Sequence, residues 1–144
     1  NRDCVVVLAY QVPRANGLPE LHQLTPQLSV LQNQGYKVAL VTDGRMSGAS
    51  GKVPAAIHLT PEALLGGNIA KIQNGDVLRL NGITGELNVL VDAQTLMERP
   101  VNPPELHTHH HTTGRRLFAS MRQTCSSAET GAMSFGSEFS DERH

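Results

Sequence analysis

The chain has 144 residues and a formal net charge of −1, and only 3% of it is aromatic, so a surface of stacking rings and phosphate-binding cations for nucleic acid is not expected. No apolar run approaches the roughly 20 residues of a membrane span, no charged-then-apolar leader opens the chain, and the expected setting is the cytosol. Cys4 and Cys125 lie near opposite ends without C-x-x-C spacing, which argues against a disulfide framework and against a complete zinc or iron–sulfur site within this chain. The opening Asn1-Arg2-Asp3 lacks an initiator methionine and runs straight into an apolar strand. A segment of a longer polypeptide is therefore expected.

Cys4 to Tyr10 (CVVVLAY) is an unbroken apolar, β-branched run that predicts a strand buried on both faces, as in a parallel or mixed sheet. Two prolines and Asn16-Gly17 break it. From Glu20 onward, Leu21, Leu24, Leu28 and Leu31 recur at three- and four-residue intervals and predict an amphipathic helix that stops at Gly35. Lys37 to Thr42 (KVALVT) predicts a second buried strand, so the opening third reads as a βαβ-like unit in a mixed α/β domain. That second strand delivers Asp43-Gly44-Arg45-Met46-Ser47-Gly48-Ala49-Ser50-Gly51, with three glycines in nine residues. Glycines let main-chain N–H groups approach a ligand closely, and loops at the carboxyl ends of such strands are where ligands bind. A plain flexible turn is the alternative.

Ala55 to His58 is expected as a short strand, and Thr60-Pro61-Glu62 as a capped helical start with proline at its first position. Asp76–Leu80 and Glu86–Val91 alternate as a hairpin around Asn81-Gly82-Ile83-Thr84-Gly85, and Asp92 caps a short helix through Met97. A proline- and histidine-rich connector, Arg99 to His111, leads to a last helix, Thr113 to Arg122, with Leu117, Phe118 and Met121 on its buried side. Residues 1–125 are thus one domain, and 126–144, small, polar and aperiodic, a disordered tail.

ANGLPELHQLTP (15–26), VALVTDGRMSGASGKVPAAIHLTPEA (38–63), NGITGEL (81–87) and TGRRLFASMR (113–122) together resemble the C-terminal domain of the dihydroxy-acid and sugar-acid dehydratase family. Within it they are most similar to the branch that dehydrates 6-phosphogluconate to 2-dehydro-3-deoxy-6-phosphogluconate in the Entner–Doudoroff pathway. The resemblance implies a swivelling β/β/α or β-barrel-like domain packed over a larger N-terminal domain of a homodimer. It also implies an iron–sulfur cluster, of 4Fe-4S type, held by cysteines of that N-terminal domain, and a magnesium or similar divalent cation.

The resemblance makes Ser47 the catalytic base, and Glu20 in GLPE a carboxylate ligand of the divalent cation. A serine alkoxide needs a cation or main-chain N–H donors to exist. Gly44, Arg45, Gly48 and Ser50 are the expected substrate-binding positions. The alternatives for Ser47 and Glu20 are a hydroxyl bonded to its own turn and an acidic residue in the first turn of a helix, where the dipole favours it. Asp43 and Arg45 are expected to brace the loop as an ion pair, and Arg14 and Lys52 to be solvated charges with the substrate phosphate as an alternative. His107, His109, His110 and His111 are read as a connector in which a bound zinc or nickel is the lesser reading. His22 and His58 are expected to be core or hydrogen-bonded. Val12 stands where related chains commonly carry glycine, and Ala49 where some sugar-acid dehydratases carry threonine. A reading of another class is a non-catalytic module that binds a small anion through the Gly44 to Gly51 loop.

Overall fold

A computed structural model describes residues 3–47, 51–106 and 111–134. Its elements are β1 (Cys4–Leu8), α1 (Pro13–Asn16), α2 (Thr25–Asn33), β2 (Val38–Thr42), β3 (Ala55–Ala56), β4 (Leu78–Asn81), β5 (Glu86–Val89), α3 (Ala93–Glu98), α4 (Thr113–Leu117) and α5 (Ala119–Thr124), with 3₁₀ turns at Ala63–Leu65, Asn68–Lys71 and Ala128–Thr130. The fold is mixed α/β, as expected. One sheet is three-stranded and parallel in the order β1-β2-β3, and the other is the antiparallel β4-β5 hairpin. The described strands remain two open sheets and do not close into a barrel.

β1 pairs with β2 in parallel from Cys4 opposite Val38 to Leu8 opposite Thr42, with α2 in the crossover. Side chains alternate across a strand, and both faces of β2 are covered. Val38 and Leu40, with Val6 and Leu8, meet Leu28, Leu31 and Val53 on the α2 side. Val41, with Val5 and Val7, meets Tyr10, Val12, Ala15, Ala63 and Ile69 on the other. This explains the apolar run of β2, which is buried throughout. β1 carries an equally apolar run but is an edge strand and only half-buried, so the expectation of burial on both faces holds for β2 alone.

The structure departs from the sequence expectations at several further points. The helix drawn from Glu20 begins at Thr25, because Leu18 (φ 54°) and Leu21 (φ 55°) sit in the left-handed region that no helix turn accepts. Its end is as expected: Gly35 (φ 94°) follows it, and the Tyr36 N–H closes back on the Leu31 carbonyl. Thr60-Pro61 is a cis peptide, and the helical turn starts after it, at Ala63. The last helix breaks in two at Phe118, and Leu117, Phe118 and Met121 are 72%, 50% and 51% exposed rather than buried. Its packing partner is α1, which lies against α5. The stretch expected to be a tail from 126 includes the Ala128–Thr130 turn, closed by hydrogen bonds from Ser126 and Ala132 to Met133 and Ser127, while 135–144 lie outside the described residues.

The hairpin is as expected. Asn81 Oδ1 accepts the N–H groups of Ile83 and Thr84, Gly85 takes φ 73°, and Asn81 pairs with Glu86. Asp92 caps α3 by accepting the Thr95 N–H at 3.0 Å.

Candidate active site

The carboxyl ends of β1 and β2 lie side by side, so the segments that leave them, Ala9 to Val12 and Asp43 to Ser47, form one ledge. Asp43 is its keystone. It is fully buried, and its carboxylate accepts the N–H of Tyr10 (3.0 Å), Gln11 (2.9 Å) and Ala63 (3.1 Å). The expected ion pair between Asp43 and Arg45 is therefore absent. Arg45 turns the other way, donating from Nε to the Leu18 carbonyl at 2.9 Å and pairing through its guanidinium with Glu20 at 3.3 Å. Burial pushes the Tyr10 hydroxyl above its usual value, and the nearby Asp43 charge adds to the effect.

Gly44 is buried because Gln11 packs over it: a Cβ there would stand 2.5 Å from the Gln11 Cβ. Its N–H is given to Thr42 Oγ1 at 3.0 Å and its carbonyl accepts the His58 N–H at 2.8 Å, while Thr42 Oγ1 donates to the Leu8 carbonyl at 2.6 Å. Close packing against β1 thus accounts for this glycine. Met46 packs into the α2-side core, and Ser47, next along, is half-buried. Gly48, Ala49 and Ser50 lie outside the described residues. The chain re-enters at Gly51; Lys52 Nζ bonds the Asn33 side chain, the Lys52 carbonyl accepts Gln32 Nε2, and Val53 returns to the core.

Glu20 lies in the irregular segment before α2, not in a helical turn, and its side chain is 49% exposed. A hollow of about 400 Å³ is lined by Pro19 to Leu24 and includes it. A larger groove of about 1120 Å³ lies at the opposite end of the sheet, against Cys4, Lys37 and Val38, and none of the candidate residues lines it. Because Arg45 bridges to Glu20, the carboxylate and the serine loop occupy the same side of the domain.

The remaining candidates are dispersed. Arg14 is exposed on α1, His22 and His58 are exposed rather than in the core, and Val12 fills the core beside Ala15 and Tyr10. His58 meets the ledge through its main-chain N–H, which donates to the Gly44 carbonyl. His107, His109 and His110 lie outside the described residues. Sequence reasoning missed Glu62, which is 2% exposed and accepts the Ala128 N–H at 3.2 Å, tying the C-terminal turn to the segment that feeds Asp43. Its signal was present: a carboxylate within an otherwise apolar PEALL run.

A divalent cation fits here only in part. Glu20 offers one accessible carboxylate beside the serine loop, and among the described residues no three His, Cys, Asp or Glu side chains gather. An iron–sulfur cluster does not fit. Cys4 opens β1 at the end away from the ledge, and Cys125 is buried with its Sγ against the Ala132 carbonyl. Burial also pushes the Cys125 thiol up, away from the thiolate a cluster needs, with Glu62 adding to this and Arg14 opposing it.

Comparison with known proteins places these features in a class. The chain belongs to the dihydroxy-acid/6-phosphogluconate dehydratase C-terminal family, whose model matches residues 1–132. It is 58% identical over 134 residues to the phosphogluconate dehydratase of Pseudomonas aeruginosa and 56% identical over 132 residues to that of Escherichia coli, covering 93% and 92% of this chain. A dihydroxy-acid dehydratase of Bradyrhizobium diazoefficiens is 38% identical over 76% of the chain. The chain spans about a fifth of the length of these relatives: 22%, 22% and 19%.

Proposed function

We propose that this domain serves a phosphogluconate dehydratase, a hydro-lyase that converts 6-phosphogluconate to 2-dehydro-3-deoxy-6-phosphogluconate. The observation that carries the reading is the Arg45–Glu20 pair, which brings the GLPE carboxylate to the segment that leads to Ser47. The higher identity to phosphogluconate dehydratases than to the dihydroxy-acid enzyme supports the sugar-acid branch.

In this reading Ser47 Oγ takes the proton from the carbon beside the substrate carboxylate. The C–H electron pair becomes a C=C bond as the C–O bond of the neighbouring carbon breaks, the departing hydroxide takes the proton back from Ser47 Oγ and leaves as water, and the resulting enol tautomerises to the 2-keto acid. Glu20 holds one position of a divalent cation, which when bound neutralises the substrate carboxylate and makes the adjacent proton more acidic. Arg45 exchanges Glu20 for an anionic oxygen of the substrate, and Gly48 and Ser50 are further substrate contacts in this proposal. Gly44 contributes by letting the loop lie against Gln11. Any iron–sulfur cluster would be held by the rest of the polypeptide and would supply a Lewis acid to the hydroxyl, so the isolated domain is expected to be inactive. The complete enzyme works as a cytoplasmic homodimer.

The test is turnover of 6-phosphogluconate and of a 2,3-dihydroxy-acid by the complete polypeptide carrying this domain, with and without Ser47→Ala. The expected result is activity on the phosphorylated acid, lost by about 10³-fold or more in the variant. Full activity of Ser47→Ala removes the serine from the mechanism, and preference for the unphosphorylated acid removes the substrate assignment.

A further inference from the structure

The geometry points to Asp43 as a positioning residue for Ser47, with Thr42 as a second hold on the same hinge; this rests on Ser47 being the base. Asp43 is 0% exposed, yet no cationic side chain pairs with it among the described residues. A buried carboxylate is costly unless its oxygens are hydrogen-bonded, and here three main-chain N–H groups do this. Those donors come from two segments remote in sequence, the exit of β1 and the 3₁₀ turn after Pro61. An apolar residue of similar size would leave those three main-chain N–H groups without an acceptor. A carboxylate that gathers three amides instead fixes the backbone of both neighbouring segments relative to the start of the serine loop.

Thr42 completes the hold. Its hydroxyl donates to Leu8 and accepts from Gly44, so the main chain on either side of Asp43 is tied to β1. Only Arg45 and Met46 separate this platform from Ser47, and both are anchored, one to the Leu18 carbonyl and one in the core. Asp43 also holds Tyr10 in the left-handed region at φ 62° and fixes Gln11, whose side chain accepts Asn16 Nδ2 at 2.9 Å. From α1 the chain runs to Leu18 and Glu20. One carboxylate thereby ties the segment that leads to Ser47 to the one that leads to Glu20.

An Asn at this position keeps the size but turns an NH₂ group toward amide donors. In the complete dehydratase polypeptide, Asp43→Asn is expected to lower kcat on 6-phosphogluconate by about 10- to 100-fold while KM stays within about threefold, the pattern of a misplaced reacting group. In a Ser47→Ala background the same change is expected to add little, because it acts through the serine. Wild type and Ser47→Ala are the controls: an inactive wild type or an undiminished Ser47→Ala overturns the reading of the site itself. With both as expected, an Asp43→Asn kcat within about twofold of wild type, or the same fractional loss in both backgrounds, overturns the positioning role. Should Asp43→Asn not fold, Thr42→Val is judged by the same criteria, since it removes one hold and keeps the volume.

Discussion

Asp43, Gly44 and Arg45 are adjacent in the sequence and face three different tasks. Asp43 points inward to main-chain donors, Gly44 makes room for Gln11, and Arg45 reaches Glu20 across the surface. Opposite charges two residues apart suggested a pair between Asp43 and Arg45, but three main-chain amides occupy the buried Asp43 carboxylate, and Arg45 is held by the Leu18 carbonyl and Glu20. Tyr10 shows the converse. Its ring sits in the core, and its hydroxyl has no partner among the described residues. Removing a buried polar atom that makes no bond is favourable, so Tyr10→Phe is expected to raise stability by about 1 kcal/mol in urea unfolding. The same change bears on alkaline behaviour. The folded state holds the Tyr10 proton more tightly than the unfolded chain, whose value is near 10.0, so this contribution is complete below that pH and is lost as pH rises beyond it. Unfolding midpoints measured from pH 9 to 11 should fall less steeply in Tyr10→Phe. Part of the slope should survive, since Cys125 is also raised, from 9.0.

At the scale of elements, the segments with strong local signals formed where expected. The β4-β5 hairpin, the Asp92 cap and the Gly35 stop each depend on residues within a few positions of one another. The start of α2 did not follow its apolar spacing, because Leu18 and Leu21 take left-handed conformations that bring Leu18 under Arg45 and Glu20 beside it. The hairpin is joined to the end of α3 by Arg99, which holds both oxygens of Asp76 at 2.5 and 2.9 Å and also bonds the Lys71 carbonyl. The Arg99 guanidinium, helped by the Gln73 N–H, lowers Asp76 from 3.8 to about 2. A depressed carboxylate contributes stability that is present above its unfolded value and is lost as pH falls toward its folded one. The domain should therefore lose stability between about pH 4 and pH 2, and Asp76→Asn should flatten that limb of a pH series of urea unfolding curves.

For the whole molecule, burial separates two kinds of leucine. Leu40 is 0% exposed at the centre of the sheet, whereas Leu117 is 72% exposed on α4. Leu40→Ala is expected to cost about 2–5 kcal/mol, and Leu117→Ala less than about 0.5 kcal/mol, as read from urea midpoints at constant slope. An equal loss at both positions would place Leu117 in a core that the described residues do not form. The C-terminal helices join the rest through α1, where Arg115 donates to the Asn16 side chain at 3.0 Å, and through Glu62 and Ala128. These contacts tie α4, α5 and the turn at Ala128 to the segments around the candidate site.

The sequence by itself determined the mixed α/β class, the two parallel strands, the hairpin and the segments that make up the candidate site, because each is written in local periodicity, turn chemistry or an unbroken motif. Only the tertiary structure decided that β1 is an edge, that Gly44 serves Gln11, that Asp43 is shared by two distant turns and that the last helices leave Leu117 in solvent. These depend on which segments remote in sequence come to lie against one another, and burial and hydrogen bonding at such contacts override what neighbouring residues prefer.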